Sequence, residues 1–372
     1  GSDPIPCPPL RDSIQCDVVV IGAGITGSLV ADVLSREGMD VVVLDQGEVG
    51  LGSTAGSTGL LLYEVDTPLR ELISKVGESA AVGAYREGLD AINRLEGLAS
   101  DIKIADDFAR RSGLYLASSL KDVPELREEF ECRRYFGFDV EWLDEALLAE
   151  GWGLRAPAAL LSKGDAEINP YRMTQGLMLK AIAQGARAYG ETRVTKLQEG
   201  PTRVMLDIPD GEVSALAVVI ATGYFARPFV AEDLVSLKTT YAAVGQTPVS
   251  KEVWSDRSVI WETARPYFYG RQTSDGRAMI GGQDTAFSDD HTDESQLIAK
   301  AELLSQHFQK LFPGETFTPD CIWGGTFAET KDGLPLIGRI PGYDHVYGAL
   351  GYGGNGITFS TIAAGMIRDL IL

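Results

Sequence analysis

The feature that most constrains this chain is a glycine loop set directly between a buried strand and a helix. Asp17-Val18-Val19-Val20-Ile21 is a continuous apolar run, the pattern of a strand covered on both faces in a parallel sheet. Gly22-Ala23-Gly24-Ile25-Thr26-Gly27 comes next without a spacer. Leu29, Val30, Val33 and Leu34 then recur at helical spacing up to Gly38, a helix stop. Val41-Val42-Val43-Leu44 reads as a second buried strand ending at Asp45. The pieces form one β-α-β unit. In that setting the first glycine permits a tight turn and the second lets a pyrophosphate approach the backbone. The third lets helix and strand pack closely, with the helix N-terminus facing the phosphates. Asp45 falls roughly twenty residues after the first glycine, where a carboxylate accepts hydrogen bonds from both ribose hydroxyls and disfavours a 2′-phosphate. The unit predicts a site for the adenosine end of FAD or NAD, with Gln46 beside it.

The stretch after Asp45 separates the two cofactors. An NAD enzyme continues with alternating strands and helices, whereas here Gly47 to Gly59 is a glycine-, serine- and threonine-rich loop. Its amides and hydroxyls suit a second stretch of a long cofactor. The chain returns to the sheet near Val194 and in Ala217-Val218-Val219-Ile220-Ala221, which runs into Thr222-Gly223. It returns again at Gly351-Tyr352-Gly353-Gly354-Asn355-Gly356 before a helix from Ile357 to Leu372. Three discontinuous visits to one sheet point to FAD. Between them, helices are expected over about 69–98, 123–136, 174–188 and 296–312, with a strand at Leu114–Ala117. Tyr241 to Gly282 turns β-branched and aromatic, and Asp275-Gly276 marks a hairpin. Residues 1–13 form an irregular, proline-rich arm.

A chain of 372 residues is longer than one hydrophobic core usually serves. A net charge of −20 repels phosphate backbones and anionic lipid, so no nucleic-acid partner is expected. No apolar run reaches the ~18 residues of a membrane span. Cys7, Cys16, Cys132 and Cys321, and likewise His291, His307 and His345, are scattered, which predicts neither a disulfide framework nor a metal site. Gly1-Ser2 reads as a cleavage remnant with no signal peptide after it, and a cytoplasmic location is expected.

These motifs, taken together, resemble the FAD-dependent oxidoreductases of the D-amino-acid oxidase and glycine oxidase superfamily. The resemblance rests on Gly22–Gly27 with Asp45, Gly52-Ser53-Thr54-Ala55-Gly56-Ser57-Thr58-Gly59, and Val219-Ile220-Ala221-Thr222-Gly223. It extends to Thr330-Lys331-Asp332-Gly333-Leu334-Pro335-Leu336-Ile337-Gly338 and Gly353-Gly354-Asn355-Gly356-Ile357. It implies that Gly22, Ala23, Gly24, Ile25, Thr26 and Gly27 hold the pyrophosphate and Asp45 the ribose. Ser53 to Gly59 and Leu60 would run towards the flavin ring, Val194 would meet the adenine, and Ala221, Thr222 and Gly223 would support that end. Gly325 and Gly353 to Thr358 would border the ring, the latter at the N-terminus of the last helix, whose positive end stabilises charge arriving with hydride. No cysteine matches the covalent tether of some relatives, so FAD is expected to be non-covalent.

One departure stands out. Where the amino-acid oxidases carry an arginine for the substrate carboxylate, this chain has Phe327, which cannot form that bidentate pair. Arg265 and Arg271 are candidate substitutes, because strand alternation would put Arg265, Tyr267, Tyr269 and Arg271 on one face. Tyr63 and Glu64, just after the glycine-rich loop, are candidates to meet a substrate ammonium. Trp261 and Trp323 read as core.

The expected architecture is α/β, α+β overall. A discontinuous Rossmann-like FAD-binding domain would come from 14–98, 150–235 and 320–372. A substrate domain with a mixed or antiparallel sheet would come from 99–149 and 236–319. The expected reaction is oxidation of a C–N bond in an amine or amino acid by hydride transfer to flavin N5, with oxygen or another electron acceptor. The alternatives are oxidation of a 2-hydroxy acid or related alcohol, which wants a base such as histidine, and a flavin-binding subunit that needs a partner.

Overall fold

In a computed structural model, the structure describes residues 4–225, 234–254, 256–287, 293–350 and 352–372. His291 and Gly351 lie outside these described residues. Two sheets organise the chain. The first has a parallel centre in the order Val346–Leu350, Gly211–Ile220, Ile14–Ile21, Val41–Leu44, Arg187–Tyr189. Val18, Val19 and Val20 are wholly buried, as expected of a strand covered on both faces. Register sets the geometry of the strand ends. Ile21 pairs with Leu44 on one side and Ile220 on the other, so Gly22, Asp45 and Ala221 leave the sheet side by side at the carboxyl ends of three strands. The helix Ile25–Arg36 starts there and packs against the helices Pro170–Ala183 and Gly356–Ile371.

The expected helix over 174–188 is displaced. Asn169 caps it at Pro170 by accepting the Arg172 N–H at 3.1 Å, and it ends at Ala183, before Gly185 with φ of +107°. Arg187–Tyr189 then joins the sheet edge as a strand parallel to Val41–Leu44. The arm is irregular but tied down. The Leu10 N–H donates to Thr192 Oγ1 at 2.9 Å and the Ile5 N–H to Gln175 Oε1 at 3.0 Å.

The second sheet runs Pro319–Thr330, Val235–Pro248, Arg277–Ala286, Tyr269–Gln272, Val259–Glu262, Phe108–Leu116, Ala158–Ile168, Leu60–Leu61. It is antiparallel except where Val259–Glu262 lies parallel to Phe108–Leu116. The hairpin at Asp275-Gly276 is present, with Gly276 at φ +84°. Ala158–Ile168 and Pro319–Thr330 belong to this second sheet although they fall in the segments expected of the cofactor domain. The reason is pairing: Ala158–Ile168 matches Phe108–Leu116 and Pro319–Thr330 matches Val235–Pro248, partners that no local pattern announces. Among the described residues no helix is long and apolar enough to cross a membrane.

Candidate active site

At the carboxyl ends of the parallel strands the glycines are dictated by space. A Cβ on Gly27 would lie 1.8 Å from the Gly22 carbonyl oxygen, and one on Gly22, at φ +109°, would lie 2.4 Å from the Ala221 oxygen. Gly59, at φ +70°, turns the chain against Ile168 and leaves 2.2 Å for a Cβ. Asp45 Oδ2 accepts the Ala23 N–H at 2.6 Å and Oδ1 accepts the Gly47 N–H at 2.8 Å, which fixes the carboxylate at the strand end. The glycine-rich loop folds back over this corner. Thr54 Oγ1 accepts the Ile25 N–H at 3.1 Å and the Gly50 N–H donates to the Ala23 carbonyl at 3.0 Å. Thr26 Oγ1 and Ser360 Oγ, 2.8 Å apart, join the first and last helices beside it.

A cavity of about 790 Å³ opens here. Of the expected cofactor residues, its wall includes Gly22, Gly24, Ile25, Thr26, Asp45, Gln46, Gly52, Ser53, Thr54, Ser57, Leu60, Val194, Ala221, Thr222, Gly223, Gly353, Gly354, Gly356 and Ile357. A second chamber of about 810 Å³ adjoins it, sharing Gly52, Ser53, Ser57, Leu60, Tyr224, Gly353 and Gly354. Thr58, Gly325, Asn355, Tyr267, Tyr269 and Phe327 line this second chamber. The remaining expected residues shape the walls from behind. Ala23 holds Asp45 through its N–H, and Gly27 packs on Gly22. Ala55 sits on an exposed turn and Gly59 makes the turn into Leu60. The side chains of Asn355 and Thr358 donate to the carbonyls of Glu64 and Leu62 at 2.6 and 3.2 Å, so they hold the neighbouring segment.

Four of the expected substrate-contacting residues are not in either chamber. Glu64 is buried in an ion network. Arg133 Nη1 reaches its carboxylate at 2.7 Å, and the Ser162 hydroxyl donates to it at 2.7 Å. Tyr63 stacks on Phe138 at 5.8 Å and is 2% exposed. Arg271 Nε donates to the Thr58 carbonyl at 2.6 Å and its guanidinium faces Glu167, so it braces the glycine-rich loop. Arg265 spends its guanidinium on the carbonyls of Glu262, Ala264 and Asp66. The alternation that grouped these residues applies only from Tyr269, because Val259–Glu262 ends and Tyr269–Gln272 begins with an irregular segment between them. Trp323 is also no core residue. Half-buried, it donates its indole N–H to the Gly56 carbonyl at 2.8 Å.

The chamber contains groups the sequence did not single out. Asp66 accepts the Gly354 N–H at 2.9 Å and the Tyr267 hydroxyl at 3.4 Å. Asp284 stands on another wall, with Trp261 and Thr240. Burial pushes the Asp66 carboxyl up, opposed by the Gly354 N–H and Arg265. Asp284 is raised by burial too, with Lys238 pulling against it and the charges of Glu329 and Asp66 adding to it. Burial carries the phenols of Tyr224 and Tyr269 to about 12. In the first cavity, Thr192, Arg193, Lys196, Tyr343 and Ser360 were also unforeseen. They sit in loops, at the start of the strand Lys196–Glu199 and on a helix face that carry no motif.

A phosphate-sized cradle at the carboxyl ends of a parallel sheet, extended by a second chamber, defines a dinucleotide-cofactor enzyme fold. Residues 17–370 match the FAD dependent oxidoreductase family, and the chain belongs to that family. It is 27% identical to gamma-glutamylputrescine oxidoreductase of Escherichia coli (strain K12), across 97% of this chain and 85% of that protein. It is 28% identical to glycine oxidase of Bacillus licheniformis, across 96% and 93%. Among solved structures, glycine oxidase from Geobacillus kaustophilus superposes with a TM-score of 0.80 at 21% identity, covering 96% of this chain and 94% of that one. L-proline dehydrogenase from P. horikoshii gives 0.80 at 21%, covering 96% and 93%. The cofactor of the family is FAD, and the residues present fit it. The strand ends are clear only because Gly22 and Gly27 lack a Cβ, the Asp45 carboxylate borders the cavity, and the cavity continues into a second chamber large enough for a substrate.

Proposed function

We propose that the chain oxidises a C–N bond of an amine or amino acid, using FAD held without a covalent bond. When bound, FAD supplies the two-electron acceptor that takes hydride from the substrate carbon at N5. Gly22 to Gly27 would hold the pyrophosphate, Asp45 the ribose, and Ser53 to Leu60 the path to the second chamber. Gly353 to Gly356, at the start of the last helix, would place that helix's positive end where negative charge arrives. The observation that carries the reading is the wall shared by the two cavities, which includes Ser57, Leu60, Tyr224, Gly353 and Gly354 and across which a ligand in the second chamber would meet the cofactor.

Support for C–N rather than C–O chemistry comes from the walls of the second chamber. Alcohol oxidation wants a base for the hydroxyl proton, and among the described residues no histidine lines either cavity. His307 bonds Glu262 at 2.9 Å and stacks on Phe268. Cys321 is exposed and lines neither chamber, in keeping with non-covalent FAD. The test is the visible spectrum of the holoenzyme without oxygen, challenged in turn with amines, D- and L-amino acids and hydroxy acids. Bleaching by amine-class compounds alone is expected. Bleaching by a hydroxy acid alone refutes C–N chemistry.

A further inference from the structure

The second chamber is anionic and aromatic, and among the described residues no cation lines it. Its described walls carry two carboxylates, Asp66 and Asp284, and no lysine, arginine or histidine. The cations nearby are committed elsewhere. Lys238 pairs with Glu329 at 2.5 Å, Lys300 donates to the Gln283 carbonyl at 2.9 Å, and Arg265 bonds backbone carbonyls and lies over the Tyr267 ring. The aromatic residues of its walls are Trp261, Tyr267, Tyr269, Phe287 and Phe327, with Tyr224 at the wall shared with the first cavity. Trp261 is 2% exposed, and its indole N–H has no hydrogen-bond partner among the described residues.

We infer that this chamber selects an organic cation, with Asp66 receiving the substrate's ammonium group, and that the substrate is an amine without a carboxylate beside the reacting carbon. The inference rests on the reading above and narrows its substrate class. A carboxylate entering here meets two like charges and no guanidinium, with Phe327 where a bidentate partner would stand. An ammonium donates a charge-assisted hydrogen bond to Asp66 and meets the Tyr269 ring on the chamber wall. Asp66 is also well placed, because its carboxylate rests on the Gly354 N–H where the two cavities join. A group bound to it stands at that junction. The free Trp261 indole asks for an uncharged acceptor further along the substrate. Asp284 adds to the field of the chamber, partly offset by Lys238 and Lys300.

The test uses the holoenzyme and two aromatic probes of opposite charge, benzyltrimethylammonium and benzoate. Binding is read from the flavin spectrum and from tryptophan fluorescence. The cation is expected to bind at least about tenfold more tightly than the anion, and Asp66→Asn to weaken the cation roughly ten- to a hundredfold while sparing the anion. Asp284→Asn should weaken it less. Tighter benzoate binding in the parent protein overturns the inference without any variant. So does an Asp66→Asn protein that retains FAD and binds the cation as the parent does. If amines bleach the flavin but benzoate wins, this inference alone fails. If the cation wins but no amine or amino acid bleaches it, the reaction fails and the anionic site stands.

Discussion

Arg133→Met tests the reassignment of Glu64 from substrate contact to buried scaffold. The Arg133 guanidinium is fully buried between two carboxylates, Glu64 at 2.7 Å and Glu129 at 2.6 Å. Glu129 in turn accepts the N–H groups of Leu69 and Arg70, which open the helix Leu69–Val76. The Glu64 carbonyl anchors Asn355 at the chamber wall. Methionine matches the arginine stem but strands both carboxylates. Breaking a buried pair from one side costs about 3–5 kcal/mol. At about 2 °C per kcal/mol for a chain of this size, the melting temperature should fall by roughly 6–10 °C. Differential scanning calorimetry on the flavin-loaded protein reads it directly.

The loss should also depend on pH. Burial, with the charge of Glu64, already raises the Asp165 carboxyl well above its ordinary value, and Arg133 opposes that rise. A group raised on folding stabilises fully below its unfolded value and loses that contribution as pH climbs through the folded one. Removing Arg133 raises Asp165 further, so the deficit should be larger at about pH 8 than at about pH 5.5. A melting temperature within about 2 °C of the parent, or a deficit that grows on acidification, refutes the argument. The triple variant with Glu64→Gln and Glu129→Gln should regain part of the loss, because neutral amides no longer leave an unpaired charge buried while their oxygens can still accept the bonds of Leu69, Arg70 and Ser162.

Gly27→Ala places a methyl 1.8 Å from the Gly22 oxygen, so the purified protein should carry little flavin by visible absorbance. Asp45→Ala leaves the Ala23 and Gly47 N–H groups without their acceptor and should weaken FAD roughly tenfold or more in a fluorescence titration. Phe327→Arg brings a guanidinium into a chamber that has none among its described walls, and should raise kcat/KM for glycine or D-amino acids relative to simple amines. Cation binding should strengthen as pH rises through the elevated Asp66 value. Around that carboxylate, Arg265 and the Tyr267 hydroxyl favour the charged form, while Glu329 and burial oppose it. Benzyltrimethylammonium, which has no proton to lose, gives that profile cleanly, and a titration that stays flat down to the acid limit of the folded protein would count against Asp66 as its partner.

The cofactor half of this protein is local. A buried strand, three glycines at fixed offsets and an acid at the next strand end are contiguous in sequence. A parallel sheet allows few other uses for them, so Gly22 to Gly27, Asp45 and Ala221 to Gly223 could be placed by inspection. The substrate half is not local. Which way a side chain points can be read from spacing only inside a regular element. Residues 63–68 and 263–268 lie outside strands and helices, so neither alternation nor helical period applies there. Glu64 turned inward because Arg133, far along the chain, waits for it in the core, and Asp66 turned outward to the Gly354 N–H. Sequence determined the family cofactor and the strand ends that border the first cavity. Only the tertiary structure, by pairing segments that no periodicity connects, decided which charges line the second chamber.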